Sequence, residues 1–396
     1  MVGRCREECA DKPQDLFLFF RKGWLRQIFC VREKEEPMEG RRHGGDIYQG
    51  GITWDFSVNV NPLGIPFRVR QAIRESADRS DRYPDTECRE LVKELAEYHG
   101  TEGERIVCGS GAADLIYRLV YLLKPCRALI LAPTFSEYEQ ALKAVGCRVR
   151  YCRLKEEQDF QADIGKLADM AEEGELIFLC NPNNPTGLAA DKEQVELLAK
   201  ACRRKKGFLI LDECFCEFLE RPKDYSFMER IQDYPEAVIL RAFTKSYAMA
   251  GLRLGYGVCG NQDVAEGLRL TGQPWSVSIP AQEAGRAALL ERGYLEQSRV
   301  LIAQERQRVS RALAGLGFLV FPSQVNYLLF KDMEEYRHGN LQQRLQEREI
   351  LIRDCSNFRG LEAGEKDPGF RFYRIAVRKR EENERLLDAM GQIVLS

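Results

Sequence analysis

No stretch of this 396-residue chain approaches the roughly 18 consecutive apolar residues that a bilayer span requires. A soluble, cytoplasmic protein is therefore expected. An excess of charge of one sign is missing too: 59 Lys and Arg stand against 61 Asp and Glu, so there is no electrostatic footprint for nucleic acid or an anionic membrane. Any anion site must be local. Metal-ligand spacings are equally absent. There are 14 cysteines, but Cys5/Cys9 and Cys214/Cys216 lack the second half of a zinc site. Others, such as Cys108 in "RIVCG" and Cys180 in "LIFLC", sit in apolar runs, as small buried hydrophobes in a reducing compartment do. No metal is expected.

The first 37 residues lack a secretion signal. "LFLFF" (16–20) is too short, is followed rather than preceded by its basic residues, and has no small-residue cleavage site after it. "LFLFFRKGWLRQIF" has the character of a membrane-surface helix, but a dispensable upstream extension, with Met38 as an alternative start, is the plainer reading.

What is present begins near residue 100. Short apolar runs, "RIVCG", "RALILA", "ELIFLC", "GFLILD", "AVILRAF" and "LGYGVCG", alternate with helical patterns such as "AADLIYRLVYLL" and "DKEQVELLAKACRRK". Uniformly apolar runs suit strands covered on both faces, which predicts an α/β fold with a mostly parallel sheet between helix layers. After about residue 280 longer helices, the strand-like "FLVFP", "NYLLF" and "FRFYRIAV", and a final helix predict a smaller α+β domain. The expected division is an arm at 38–80 packing with the small domain, a large domain at 81–285 and the small domain at 286–396.

Ligands of an open α/β sheet lie beyond the carboxyl ends of its strands. Three apolar runs lead there into polar residues: "LIFLC" into "NPNNPTG", "FLIL" into Asp212-Glu213, and "AVILRAF" into Thr244-Lys245. Singly these read as a turn, a helix cap and a solvated loop residue; together they describe a site. "GSGAAD" (109–114) joins a strand to a helix, where glycine lets the backbone approach an anion at the helix N-terminus. It lacks the third glycine of the dinucleotide fingerprint and the "GK[ST]" of a P-loop, so one phosphate is the expected ligand. One phosphate, one strand-end carboxylate, one amide and one lysine are the needs of pyridoxal 5′-phosphate. The lysine forms a Schiff base, the carboxylate keeps the ring nitrogen protonated, and the ring serves as electron sink. On this reading Lys245 is the imine lysine, Thr244 and Ser246 offer hydroxyls to the phosphate, and Arg253 is its charged partner.

With "NPNNPTG", "DECF", "TKSYAMAGLRLGY" and "YRIAVR" in that order, residues 43–394 resemble the fold-type I pyridoxal-phosphate enzymes, in the branch that holds histidinol-phosphate aminotransferases and the threonine-phosphate decarboxylases of cobalamin synthesis. The resemblance implies that Lys245 is the Schiff-base lysine, Asp212 the ring-nitrogen partner and Asn184 the donor to the ring 3′-oxygen. It gives the cofactor phosphate to Gly111, Ala112, Thr244 and Arg253. Tyr83 in "RYPD" matches a tyrosine that reaches the neighbouring subunit's cofactor, which implies a homodimer with shared active sites. Arg374 matches the arginine that holds a substrate carboxylate.

Within the branch, aminotransferases usually carry a tyrosine three residues after the aspartate, where this chain has Phe215. "HGG" (His43, Gly44, Gly45) and "PWSVS", with Trp275 and Ser276, also match the decarboxylase pattern. That side of the branch implies O-phosphothreonine as substrate and (R)-1-amino-2-propanol O-2-phosphate as product. His43, Asn59 and Arg353 are then expected at the substrate phosphate, Arg374 near the carboxylate or shared between the two anions, and Asn184 also among the substrate-binding residues. The reaction is set by which Cα bond is held perpendicular to the conjugated plane. The rival readings are a histidinol-phosphate or related aminotransferase, and a non-catalytic scaffold, which has no chemical reason to keep a buried lysine and aspartate.

Overall fold

A computed structural model describes residues 43–48, 50–362 and 369–395; the expected N-terminal extension and the start at Met38 lie outside these residues. The described chain opens with a two-residue strand, β1 (Trp54–Asp55). Seven further strands follow: β2 (Ile106–Gly109), β3 (Arg127–Ala132), β4 (Arg148–Arg153), β5 (Leu176–Cys180), β6 (Phe208–Asp212), β7 (Ala237–Ala242) and β8 (Gly255–Cys259). They form one sheet in the order β2-β8-β7-β6-β5-β3-β4, parallel except for β8, which runs antiparallel to both of its neighbours.

The uniform apolarity of these strands serves two cores at once, because successive side chains point to opposite faces. Ile177, Leu179, Leu209, Leu211 and Ile239 pack against one helix layer, which includes Arg89–His99, Lys192–Arg204 and Ile279–Leu289. Leu176, Phe178, Ile210, Val238 and Leu240 pack against the other, which includes Ala112–Leu123, Ser136–Ala144 and Gln262–Thr271. Each such side chain contributes about 1.5–3 kcal/mol by leaving water. Edge strand β4 departs from the pattern: its charged "RVRYCR" is mostly half-buried or exposed, and it has no apolar run by which to announce itself.

The C-terminal part adds β9 (Leu319–Val320), β10 (Tyr327–Asp332), β11 (Ile350–Leu351), β12 (Arg353–Asp354) and β13 (Arg371–Ala376). Four of these make an antiparallel sheet, β12-β13-β10-β9, while β11 pairs in parallel with β1. Phe56, Leu328, Phe330, Ile352 and Ile375 form its core with Val309, Leu313, Leu386 and Met390 from two helices.

The structure divides the expected N-terminal arm. Phe56 belongs to the small sheet's core, whereas Val69, on the helix Phe67–Ser76, is buried in a core of the large sheet. The passage from one part to the other also differs from a break at 285/286. That point falls inside the helix Ile279–Leu289, whose Ala281, Ala284 and Ala287 belong to the large part. The chain crosses along the 22-residue helix Tyr294–Gly315, with Tyr294 in the large core and Val309 and Leu313 in the small one. A continuous helix needs no linker to change cores, so composition carries no mark of the crossing.

Candidate active site

The parallel register places Cys180 beside Asp212 and Asp212 beside Leu240, so β5, β6 and β7 end in one row. The polar segments that follow them open on a cavity of about 430 Å³. Asn184, Asp212, Thr244, Lys245 and Arg253 line it from the large sheet, Ala112 from a helix N-terminus, and His43, Asn59, Arg353 and Arg374 from the opposite side.

Lys245 sits in the four-residue helix Phe243–Ser246 that begins where β7 ends. Its carbonyl accepts from the Asn61 N–H at 3.0 Å, and the Asn61 side-chain amide donates to the Ser246 carbonyl at 2.8 Å, so the N-terminal arm clamps the lysine segment. Burial pushes the Lys245 ammonium down to about 8, and the guanidinium groups of Arg374 and Arg253 add to this against the opposing pull of Asp212. A lysine brought this low carries an appreciable share of neutral, nucleophilic amine near neutral pH.

Asp212 is buried at the end of β6. Its Oδ2 accepts from the Tyr138 hydroxyl at 2.6 Å and its Oδ1 from the Cys214 N–H at 3.0 Å. These bonds hold the carboxylate as a fixed acceptor facing the cavity. Tyr138 lies 74 positions away in the sequence, on the helix Ser136–Ala144, with its ring stacked on Phe178 at 4.7 Å. No local pattern marks it, and its part in the site is legible only in three dimensions.

Gly111 caps the 12-residue helix Ala112–Leu123 with φ of 81°. A Cβ there would lie 2.6 Å from an Arg253 guanidinium nitrogen. The glycine thus satisfies a left-handed backbone and leaves room for the cation over a helix N-terminus. Ala112, Ala113, Thr244 and Arg253 line this end of the cavity, a cup suited to a phosphate. Ser246 is not part of it: its hydroxyl donates to the Ala242 carbonyl at 3.1 Å, one turn back along the chain. A residue one place beyond the lysine turns its side chain to the other side of a short helix, which corrects the expected pair of hydroxyls to Thr244 alone.

The far end is built by side chains. Arg353 on β12 and Arg374 on β13 are paired directly across the antiparallel ladder, so both guanidinium groups share one face. Arg374 donates to the Ser57 carbonyl at 2.7 Å and to the Asn184 side-chain oxygen, and Asn59, with its amide oxygen turned inward, accepts from it at 3.2 Å. Burial pushes Arg374 down to about 10, with Arg353 adding to the shift, and the group remains a cation at neutral pH. Arg353 donates to the Asn357 side chain at 2.7 Å and lies over the Phe358 ring.

Two more cavity residues complete the set. Phe215 is buried edge-on against Tyr327 at 5.0 Å, and Tyr327 spends its hydroxyl on the Asn183 carbonyl, so no phenol from this pair faces the cavity. His43 brings its Nε2 to 2.9 Å from Glu137, a carboxylate that the sequence did not single out. Tyr83 and Trp275, by contrast, lie outside this cavity: they stack at 4.5 Å and are 76% and 47% exposed. Ser276 accepts at 2.8 Å from Arg118, which is tied to Asp114 beneath the glycine turn.

Comparison with known proteins gives the chain its relatives. Residues 52–390 match the family model for class I and II aminotransferases. A threonine-phosphate decarboxylase of Salmonella typhimurium is 36% identical over 361 residues, covering 89% of this chain and 96% of that protein. Histidinol-phosphate aminotransferase 2 of Archaeoglobus fulgidus is 33% identical, covering 86% and 92%. Among solved structures, the histidinol-phosphate aminotransferase of Clostridium acetobutylicum superposes with a TM-score of 0.77 at 31% identity, over 86% of this chain and 99% of that one.

Proposed function

The chain belongs to the class I and II aminotransferase family, and from that membership we propose that it is a pyridoxal-phosphate enzyme that decarboxylates O-phosphothreonine to (R)-1-amino-2-propanol O-2-phosphate for cobalamin synthesis. The residues fit the cofactor. Gly111 leaves room for Arg253 over a helix N-terminus, Asp212 is a held acceptor, and Lys245 is depressed to about 8. Thr244, Arg253 and the amides after Gly111 would hold the phosphate, Asp212 the ring nitrogen and Asn184 the ring oxygen. When bound, pyridoxal phosphate supplies a sink for the electron pair left at the substrate's Cα.

The observation that carries the substrate reading is the cross-strand pairing of Arg353 with Arg374. Two like charges facing one space call for two anions, and a phosphorylated amino acid has both a carboxylate and a phosphate. Histidinol phosphate, an amino alcohol, has only the phosphate. Arg374, anchored through Ser57 and Asn184, takes the carboxylate, while Arg353, Asn59 and His43 take the phosphate. Holding both ends fixes the orientation of the bond to the carboxylate, so carbon dioxide is the group that leaves. The Lys245 amine, with its proton in exchange near pH 8, can return a proton at Cα. The absence of a phenol at Phe215 supports decarboxylation over transamination.

The outward stack of Tyr83 on Trp275 supports a homodimer in which Tyr83 serves the neighbour's cofactor, since it lies outside the cavity of its own chain. The test of the function is to incubate the purified holoenzyme with O-phosphothreonine and follow carbon dioxide with and without a keto acid. Release without the keto acid is expected; a strict requirement for it, with histidinol phosphate preferred, assigns the chain to the aminotransferases.

A further inference from the structure

The cavity is lined by the cations Lys245, Arg253, Arg353 and Arg374 and by two carboxylates, Asp212 and Glu137. Asp212 has its use at the cofactor. Glu137 has none there, and a buried carboxylate in a space that must receive three anionic groups is unfavourable unless it acts through something else. Its partners show what that is. The Tyr117 hydroxyl donates to Oε2 at 2.9 Å, which fixes the carboxylate, and Oε1 lies 2.9 Å from His43 Nε2. His43 itself hangs on a short segment pressed against Ser57. The Gly45 N–H donates to the Ser57 hydroxyl at 2.7 Å, and any Cβ at Gly44 would collide with the Ser57 carbonyl, the oxygen that also accepts from Arg374. The backbone brings the imidazole to the rim, with Glu137 beside its Nε2.

We propose that Glu137 is a positioning residue for recognition of the substrate's phosphate, acting through His43; this rests on the reading above that the substrate is phosphorylated. With Nε2 engaged by Glu137, Nδ1 is the nitrogen left to donate to a phosphate oxygen. The imidazole then stands between Glu137 and the ligand, where the carboxylate alone would repel it. Tyr117 keeps the carboxylate from turning into the cavity.

The test compares holoenzyme variants on O-phosphothreonine and on threonine. Glu137→Gln keeps size and shape but loses the charge. It is expected to lower kcat/KM for O-phosphothreonine by about 10- to 100-fold, nearly all in KM, and to leave threonine unchanged. In a His43→Ala background the same substitution should cost nothing more, because its only route of action is gone. Tyr117→Phe, a milder change, should move KM in the same direction by less than about tenfold. Equal losses on both substrates, a loss in kcat, or a Glu137→Gln effect that adds in full to His43→Ala overturns the proposal. A parent enzyme that shows no preference for the phosphorylated substrate overturns the substrate reading, and this proposal with it; a preference that Glu137→Gln leaves undiminished overturns this proposal alone.

Discussion

Under the proposed function, the two ends of the cavity would hold their anions by different means. At the cofactor end, a helix N-terminus and the ends of parallel strands supply backbone amides, one fixed carboxylate and one lysine, all set by the register of a sheet buried on both faces. At the substrate end, long side chains from a small antiparallel sheet and from the N-terminal arm do the holding, each kept in place by hydrogen bonds to other side chains or to one carbonyl. Backbone sites are hard to alter by substitution, whereas side-chain sites change with one residue. On the proposed assignment, the difference teaches where a shared chemistry and a particular substrate would each be written: the first in the large sheet, the second in the small one.

The sharpest way to break this comparison is at Lys245. Lys245→Ala should lower turnover by at least about 1,000-fold and remove the borohydride-reducible link to the cofactor, with the fold unchanged by circular dichroism. A labelled peptide carrying another lysine would falsify the assignment. Arg374→Ala comes next. It removes a buried cation and leaves Asn184 and Asn59 without their partner. A loss of about 2–4 kcal/mol, or roughly thirty- to a thousandfold in kcat/KM, is expected on threonine and O-phosphothreonine alike. Pyridoxamine phosphate formed in side reactions should rise as the carboxylate loses its anchor.

Arg353→Ala should be weaker on threonine and comparable on O-phosphothreonine, so that it chiefly erodes the preference between them. Equal effects of the two arginine variants on both substrates would mean that the substrate end is one undivided patch. The smallest effect links the two ends. Below pH 8 the Lys245 amine is mostly protonated, so the rate at which apoenzyme captures pyridoxal phosphate should rise about tenfold per pH unit up to about 8 and then level off. Because the Arg374 charge helps depress Lys245, Arg374→Ala should move that plateau to higher pH. Stopped-flow absorbance reads both, and an unmoved plateau would mean that burial alone sets the lysine.

The gathering of these segments at one cavity was legible in the sequence because apolar strands running into "NPNNPTG", Asp212 and Lys245 report where strands stop, and parallel sheets gather their ends. Edge strand β4 escaped because half of it faces water. Tyr138 and Glu137 escaped for another reason: both sit on a helix whose periodicity describes its packing, and their polar partners lie far along the chain. Asn61 likewise reads as a loop residue until it meets the lysine segment. Ser246 was misread because adjacency in sequence is not adjacency around a helical turn.

One consequence of the paired arginines concerns the protein before its substrate arrives. Like charges facing each other across a ladder repel, and Arg353 already weakens the hold of Arg374 on its proton. The small sheet therefore holds two like charges side by side. A ligand with two separated anions would relieve that repulsion more fully than a ligand with one, so the pairing itself would favour a doubly anionic substrate.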